Sequence, residues 1–199
     1  MSATRLLVLG VVRIYGRAHG YQVRRELLSW SADKWANVQP GSIYHALKKM
    51  AGEGVLDQVE AEAGTKGPER VAYRLTDAGQ KHFDQLLQTM LAEVREDHGG
   101  RELAAAVAFL PALGRERAIS LLQYRVTQLK GQQANLDLML RHGTEWGQPE
   151  HVNALYRMWQ GQVEADLNWA ADLIERLRAG EYAMADDPEP AFGRPGAIE

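Results

Sequence analysis

The side chains with the most chemical reach gather in one short stretch, VQPGSIYHALKKMAGEGVL, residues Val38 to Leu56. Within it Gln39, Ser42, Tyr44, His45, Lys48 and Lys49 all carry hydrogen-bond donors. Such a set suits phosphate oxygens and base edges rather than bond-breaking chemistry. The enzyme signatures point the same way: no Gly-rich phosphate loop, G-x-S-x-G elbow or H-E-x-x-H pair occurs. The six histidines are scattered, and Glu96-Asp97-His98, the tightest run of metal-ligating types, consists of neighbours that point different ways on a helix. With no cysteine, disulfides and thiolate metal sites are excluded. No catalytic residue, metal or cofactor is expected.

Charge is distributed unevenly. Residues 1–50 carry eight Lys/Arg against two acids, a local +6, so residues 51–199 carry −9 of the net −3. That asymmetry is the mark of a localised anion-binding face, although charge alone also allows a solvated basic surface without a partner. Hydrophobic residues make up 45% and charged residues 25%, an ordinary globular composition. No apolar run is long enough to span a membrane. Arg13 and Arg17 interrupt the apolar N-terminal stretch, which therefore reads as a core helix rather than a leader. A cytoplasmic location is expected.

The elements that must hold the basic stretch follow from periodicity. Thr4 to Tyr15 reads as a helix ended by Gly16, and Tyr21 to Trp30 as a second, with Tyr21, Val23, Leu27 and Leu28 at helical spacing. Ser31 to Asn37 is polar and turn-like. Pro40 suits the first turn of a third helix, whose buried stripe is Ile43, Leu47 and Met50. Two alternating runs, Val55 to Glu62 and Glu69 to Leu75, flank a Gly/Pro cluster and predict a β-hairpin, with Val71, Tyr73 and Leu75 on one side. A long amphipathic helix follows from Thr76. Helix, helix, helix, hairpin, long helix is the order of a winged helix-turn-helix, in which the third helix enters the DNA major groove and the hairpin wing meets the backbone or minor groove. With its stripe inward, that helix turns Ser42, His45 and Lys49 outward, with Gly41 and Lys48 at the margins and Tyr44 flanking the core. Lys66 and Arg70 border the hairpin tip, where a wing touches DNA, and Arg24 and Arg25 lie on the second helix.

These segments also carry a resemblance. HGYQVRREL (His19 to Leu27), PGSIYHALKKMAGEGVL (Pro40 to Leu56) and YRLTDAGQ (Tyr73 to Gln80) are similar to the PadR family of bacterial transcription regulators, over roughly residues 4–98. The resemblance implies a DNA role for Tyr44, a wing formed by the hairpin, a helical C-terminal part that makes a dimer, and in many members a response to phenolic or drug-like compounds. Two departures bear on the operator. The family often has Ser before the Pro-Gly and Pro after the Tyr, where this chain has Gln39 and His45. Gln39 is a weak N-cap, but its amide can pair with adenine.

Beyond Gly99-Gly100 the pattern is helical. Glu102 to Leu113 precedes two long segments, Glu116 to His142 and Glu150 to Ala179. On the last, Leu155, Tyr156, Trp159, Val163, Leu167, Ala170, Ile174 and Leu177 recur at three- and four-residue steps, and Trp169 adds a further aromatic. This seam reads as helix packing and dimer core, with an aromatic-lined effector pocket as the alternative. Residues 183–199, containing DDPEPAFGRPG, lack periodicity and predict a disordered tail. The expected protein is thus mostly α with a small β-hairpin. A winged helix-turn-helix with its connecting helix occupies 1–98, and a helical dimerisation and effector domain occupies 101–180. Its expected function is that of a ligand-responsive repressor binding a palindromic double-stranded DNA operator as a homodimer. A winged-helix adaptor that binds protein is the other reading; the cations of the third helix argue against it.

Overall fold

The computed structural model describes residues 2–60, 71–95 and 100–192. Helix α1 (Ala3–Tyr15) is the centre of the molecule: every residue from Leu6 to Val12 is buried. A helix that is apolar all round must be enclosed on all sides, and α1 is surrounded by the other elements of the N-terminal half and, on one side, by the segment that carries Phe109. It stops at Gly16, whose φ of 66° only glycine adopts freely. Next come a two-residue strand β1 (Ala18–His19), α2 (Gly20–Ser29), a single turn α3 (Ala32–Trp35) and α4 (Pro40–Gly52). Helix α4 opens on Pro40 and buries Ile43, Leu47 and Met50, the stripe read from the sequence.

Strands β2 (Leu56–Glu60) and β3 (Val71–Leu75) form the hairpin, and β1 joins it to give the sheet order β1-β3-β2, all antiparallel. The register places Gln58 opposite Tyr73, and Ala18 opposite Tyr73 on the other side. The inward face of β3 differs from simple alternation: Ala72 and Tyr73 are buried, whereas Val71 is exposed. As the central strand, β3 lies between β1 and β2 rather than at an edge. Helix α5 (Asp77–Ala92) starts at Thr76, whose Oγ1 accepts the Gly79 N–H at 2.9 Å.

The C-terminal part holds α6 (Arg101–Ala108), a 3-10 turn (Leu110–Ala112), α7 (Arg115–His142) and α8 (Val152–Arg178). Helices α7 and α8 run antiparallel. Arg115, at the start of α7, donates to the Leu177 carbonyl at 2.7 Å, and Gln160 donates to Asp137 at 2.6 Å further along. The buried residues of the two halves form one cluster that runs from Leu6 and Phe83 through Phe109 to Leu177 and Met184. Phe109 is the joint. Its ring lies edge-on to Phe83 at 5.7 Å, and it sits so close to α1 that a Cβ on Gly10 would come within 2.2 Å of it.

Two expectations are corrected here. Ser31 to Asn37 is not a plain turn but contains α3, steadied by the Trp35 indole N–H donating to the Trp30 carbonyl at 2.8 Å. Residues 183–192 are not a disordered tail. Met184 is fully buried, and the Asp186 carboxylate accepts the Arg115 backbone N–H at 3.0 Å. The Arg115 guanidinium pairs with Asp187, and Phe192 packs on Phe109. An arginine distant in sequence satisfies the acids of a segment that has no periodicity of its own.

Candidate nucleic-acid interface

Helix α4 presents the surface read from the sequence. Gln39, Gly41, Tyr44, His45, Lys48 and Lys49 are exposed, while Ile43, Leu47 and Met50 anchor the opposite side. Ser42 is half-buried, and its hydroxyl donates to the Gln39 carbonyl at 2.7 Å, so its proton already serves the first turn of the helix. Gln39 is the N-cap residue without a side-chain cap bond, which leaves its amide next to Asn37, 3.5 Å away. Nothing lies within 4 Å of a Cβ built on Gly41, so this glycine leaves the helix start open to close approach. Tyr44 is 42% exposed, its ring against Gly20 of α2. Arg24 and Arg25 are exposed on α2. Lys66 and Arg70 lie outside the described residues. Within the described part of the wing the sequence reading missed Arg74, which pairs across the hairpin with Asp57 at 3.4 Å.

The far end of α4 is fastened by groups the sequence did not announce. Arg5 of α1 pairs with Glu53 at the α4 C-cap, and its Nε donates to His82 Nε2 of α5 at 2.8 Å. That nitrogen must be unprotonated to accept. Burial, followed by the adjacent Arg5 charge, holds His82 below its ordinary value of 6.5, with Glu53 opposing. The Arg5 hydrogen bond holds the Glu53 carboxyl below its ordinary range, helped by the charges of Arg5, Lys49 and His82. Both depressed values give one sign. The unfolded chain binds the extra protons, so the joint's contribution is complete above 6.5 and is lost as pH falls through the lower native value of His82, then of Glu53. His82→Gln, whose amide oxygen can still accept from Arg5, is expected to flatten the dependence of unfolding free energy on pH between about 7 and about 5. Urea melts across that range would show this, and an unchanged slope would exclude His82 as its source.

The C-terminal seam divides. Val163, Ala170, Ile174 and Leu177 are buried within the chain, so their partner is α7 and the common core rather than a second molecule. Leu155 and Trp159 are each 40% exposed, Tyr156 is half-buried against Trp159 at 5.8 Å, and Met158, Trp146 and Leu138 are also exposed. Trp169 belongs to neither group. With Trp35, Leu103 and Val107 it lines an apolar groove of about 320 Å³ between α3, α6 and α8. Among the described residues no cluster of three or more His, Asp or Glu is gathered to hold a metal. Glu96-Asp97-His98 lies outside them. No helix among the described residues is long and apolar enough to cross a membrane.

Known families bear on this surface. The model of the Transcriptional regulator PadR-like family matches residues 8–85, from the middle of α1 to the middle of α5. Residues 8–85 are thus similar to that family's domain. The matched family is one of transcriptional regulators, and over the matched residues α2, α3 and α4 are followed by the β2–β3 hairpin and α5, the element order of a winged helix. No curated protein sequence matches the chain. Among solved structures, Bacillus subtilis PadR in complex with operator DNA is 20% identical, with 87% of this chain and 98% of that chain covered and a TM-score of 0.38. A PadR-like regulator from Bacillus cereus is 17% identical over 89% and 99% of the two chains, with a TM-score of 0.37. Bacillus subtilis PadR in complex with p-coumaric acid is 17% identical over 88% and 99%, with a TM-score of 0.36.

Proposed function

We propose that this protein is a PadR-like transcriptional regulator, a cytoplasmic repressor that binds a palindromic operator as a homodimer and releases it on binding a small aromatic effector. The observation that carries the reading is the outward face of α4: Gly41, Tyr44, His45, Lys48 and Lys49 are exposed on a helix whose other side is locked into the core. In this reading Lys48 and Lys49 neutralise phosphates, while Gln39 and His45 meet base edges. Lys66 and Arg70 serve the wing. The exposed aromatic and aliphatic residues at the start of α8 support a second copy as partner. The groove between Trp35 and Trp169 is apolar and walled by two indoles, as a flat aromatic effector requires.

The test is binding of a duplex from the gene's own upstream region across a salt series. Lys49→Ala is expected to weaken specific and random duplexes about equally and to reduce the log–log salt slope by ~0.9, the share of one neutralised phosphate. A gel shift with no retarded band, together with capture of a protein partner through α4, would replace this reading with the adaptor. An unchanged salt slope would take Lys49 off the phosphate surface.

A further inference from the structure

We infer that Gly20 is a positioning residue for Tyr44: the missing side chain at the first residue of α2 seats the tyrosine ring on the DNA-facing side of α4. The inference rests on the proposal that Tyr44 meets DNA. A Cβ built on Gly20 would lie 2.6 Å from Tyr44 Cε1, 3.0 Å from its Cδ1 and 3.5 Å from Leu47 Cδ1. Carbon atoms in good contact stand about 3.5–4.0 Å apart. The ring therefore occupies the volume that any other residue at position 20 would fill.

The backbone does not ask for glycine there. Gly20 is absent from the residues of positive φ, and it opens a helix, where alanine has the better propensity. What remains to explain the glycine is the ring. The ring also has no inward escape, because Leu47 behind it is fully buried in the core. A methyl group at position 20 would drive the phenol outward into solvent, the direction open to a side chain already 42% exposed.

The neighbours of Gly20 extend the consequence. His19 belongs to β1 and pairs with β3, and its Nδ1 lies 3.3 Å from the Val71 carbonyl at the start of that strand. Its ring stacks on Tyr21 at 5.7 Å with an interplanar angle of 17°. One corner, His19-Gly20-Tyr21, thus touches the base of the wing through His19 and the recognition helix through Gly20. Tyr44 is held in register with the wing, and a ring held in advance loses less freedom on meeting a phosphate or sugar.

A double-mutant cycle tests this, with wild type, Gly20→Ala, Tyr44→Ala and the double variant measured on the upstream duplex and in thermal melts. Gly20→Ala is expected to weaken binding about two- to tenfold, the scale of re-ordering one side chain, with an unchanged or raised melting temperature. In the Tyr44→Ala background the same change is expected to have no further effect, because the ring it displaces is gone. Full additivity in the double variant, or wild-type affinity for Gly20→Ala, would overturn the inference. Tyr44→Ala binding as tightly as wild type would instead overturn the DNA role of Tyr44. The seat itself has a separate readout. Nuclear Overhauser contacts between the Gly20 Hα protons and the Tyr44 ring are expected in the wild-type chain, and their absence would remove the seat whatever the DNA data show.

Discussion

Gly79→Ala is expected to lower the melting temperature by roughly 5–15 °C, although it adds a single methyl group. The reason is where the methyl would go. A Cβ on Gly79 would stand 2.1 Å from the Val55 carbonyl oxygen and 3.2 Å from its carbon, both backbone atoms. A flexible side chain could swing aside, but this carbonyl is pinned. It accepts the Thr76 N–H at 3.3 Å and lies 3.2 Å from the Thr76 hydroxyl, while the Val55 N–H donates to Met50 at 2.9 Å. Relief requires α5 to back away from the junction of α4 and β2, which breaks the Thr76 cap and opens the packing around Phe83 and Leu87. Overpacking of this kind costs about 1–3 kcal/mol and losing a cap about 1 kcal/mol more. Gly41→Ala is the control: nothing lies within 4 Å of its Cβ, and its melting temperature is expected to match the wild type. If Gly79→Ala also melts like the wild type, α5 is not held at this junction as the geometry implies.

The same residues show how far sequence reading reaches. The stripe Ile43, Leu47, Met50 and the exposed set opposite it were legible because helical period, a first-turn proline and terminal glycines all agree within thirteen residues. The winged helix was legible from element order. What escaped was short or distant. Strand β1 has two residues and α3 four, too few for any period to register. The Arg5–Glu53–His82 joint and the Gly20–Tyr44 seat link residues far apart in the chain, and nothing local in the sequence marks them. Residues 183–192 misled for a related reason: they lack periodicity, and the Arg115 that holds their acids is distant in sequence. The α8 seam was legible only in part. An apolar stripe records that it is covered, not by what, and the fold assigns Val163, Ile174 and Leu177 to the chain itself while leaving Leu155 and Trp159 exposed.

That division sharpens the test of the proposed dimer. Trp159→Asp is expected to leave the chain folded, because its side chain is 40% exposed and the buried half of α8 lies further along the helix. Removing α8 altogether is a poorer experiment: Leu173, Ile174 and Leu177 belong to the common core, so a chain ending before α8 would lose packing as well as partner. In a dimer built on the start of α8, the same aspartate would be buried without a counter-charge on both sides of the two-fold axis, a cost of several kcal/mol. The dimer would separate. Two recognition helices about 34 Å apart read two half-sites, whereas one helix retains little beyond its attraction for phosphate. Operator affinity is therefore expected to fall by about a thousandfold or more, towards the level of random duplex. Light scattering at micromolar concentration is expected to give twice the chain mass for the wild type and the chain mass for Trp159→Asp, with matching helical circular dichroism. A wild type that scatters as a monomer yet binds one half-site tightly would refute the dimer. The exposed start of α8 would then be a surface for a different partner.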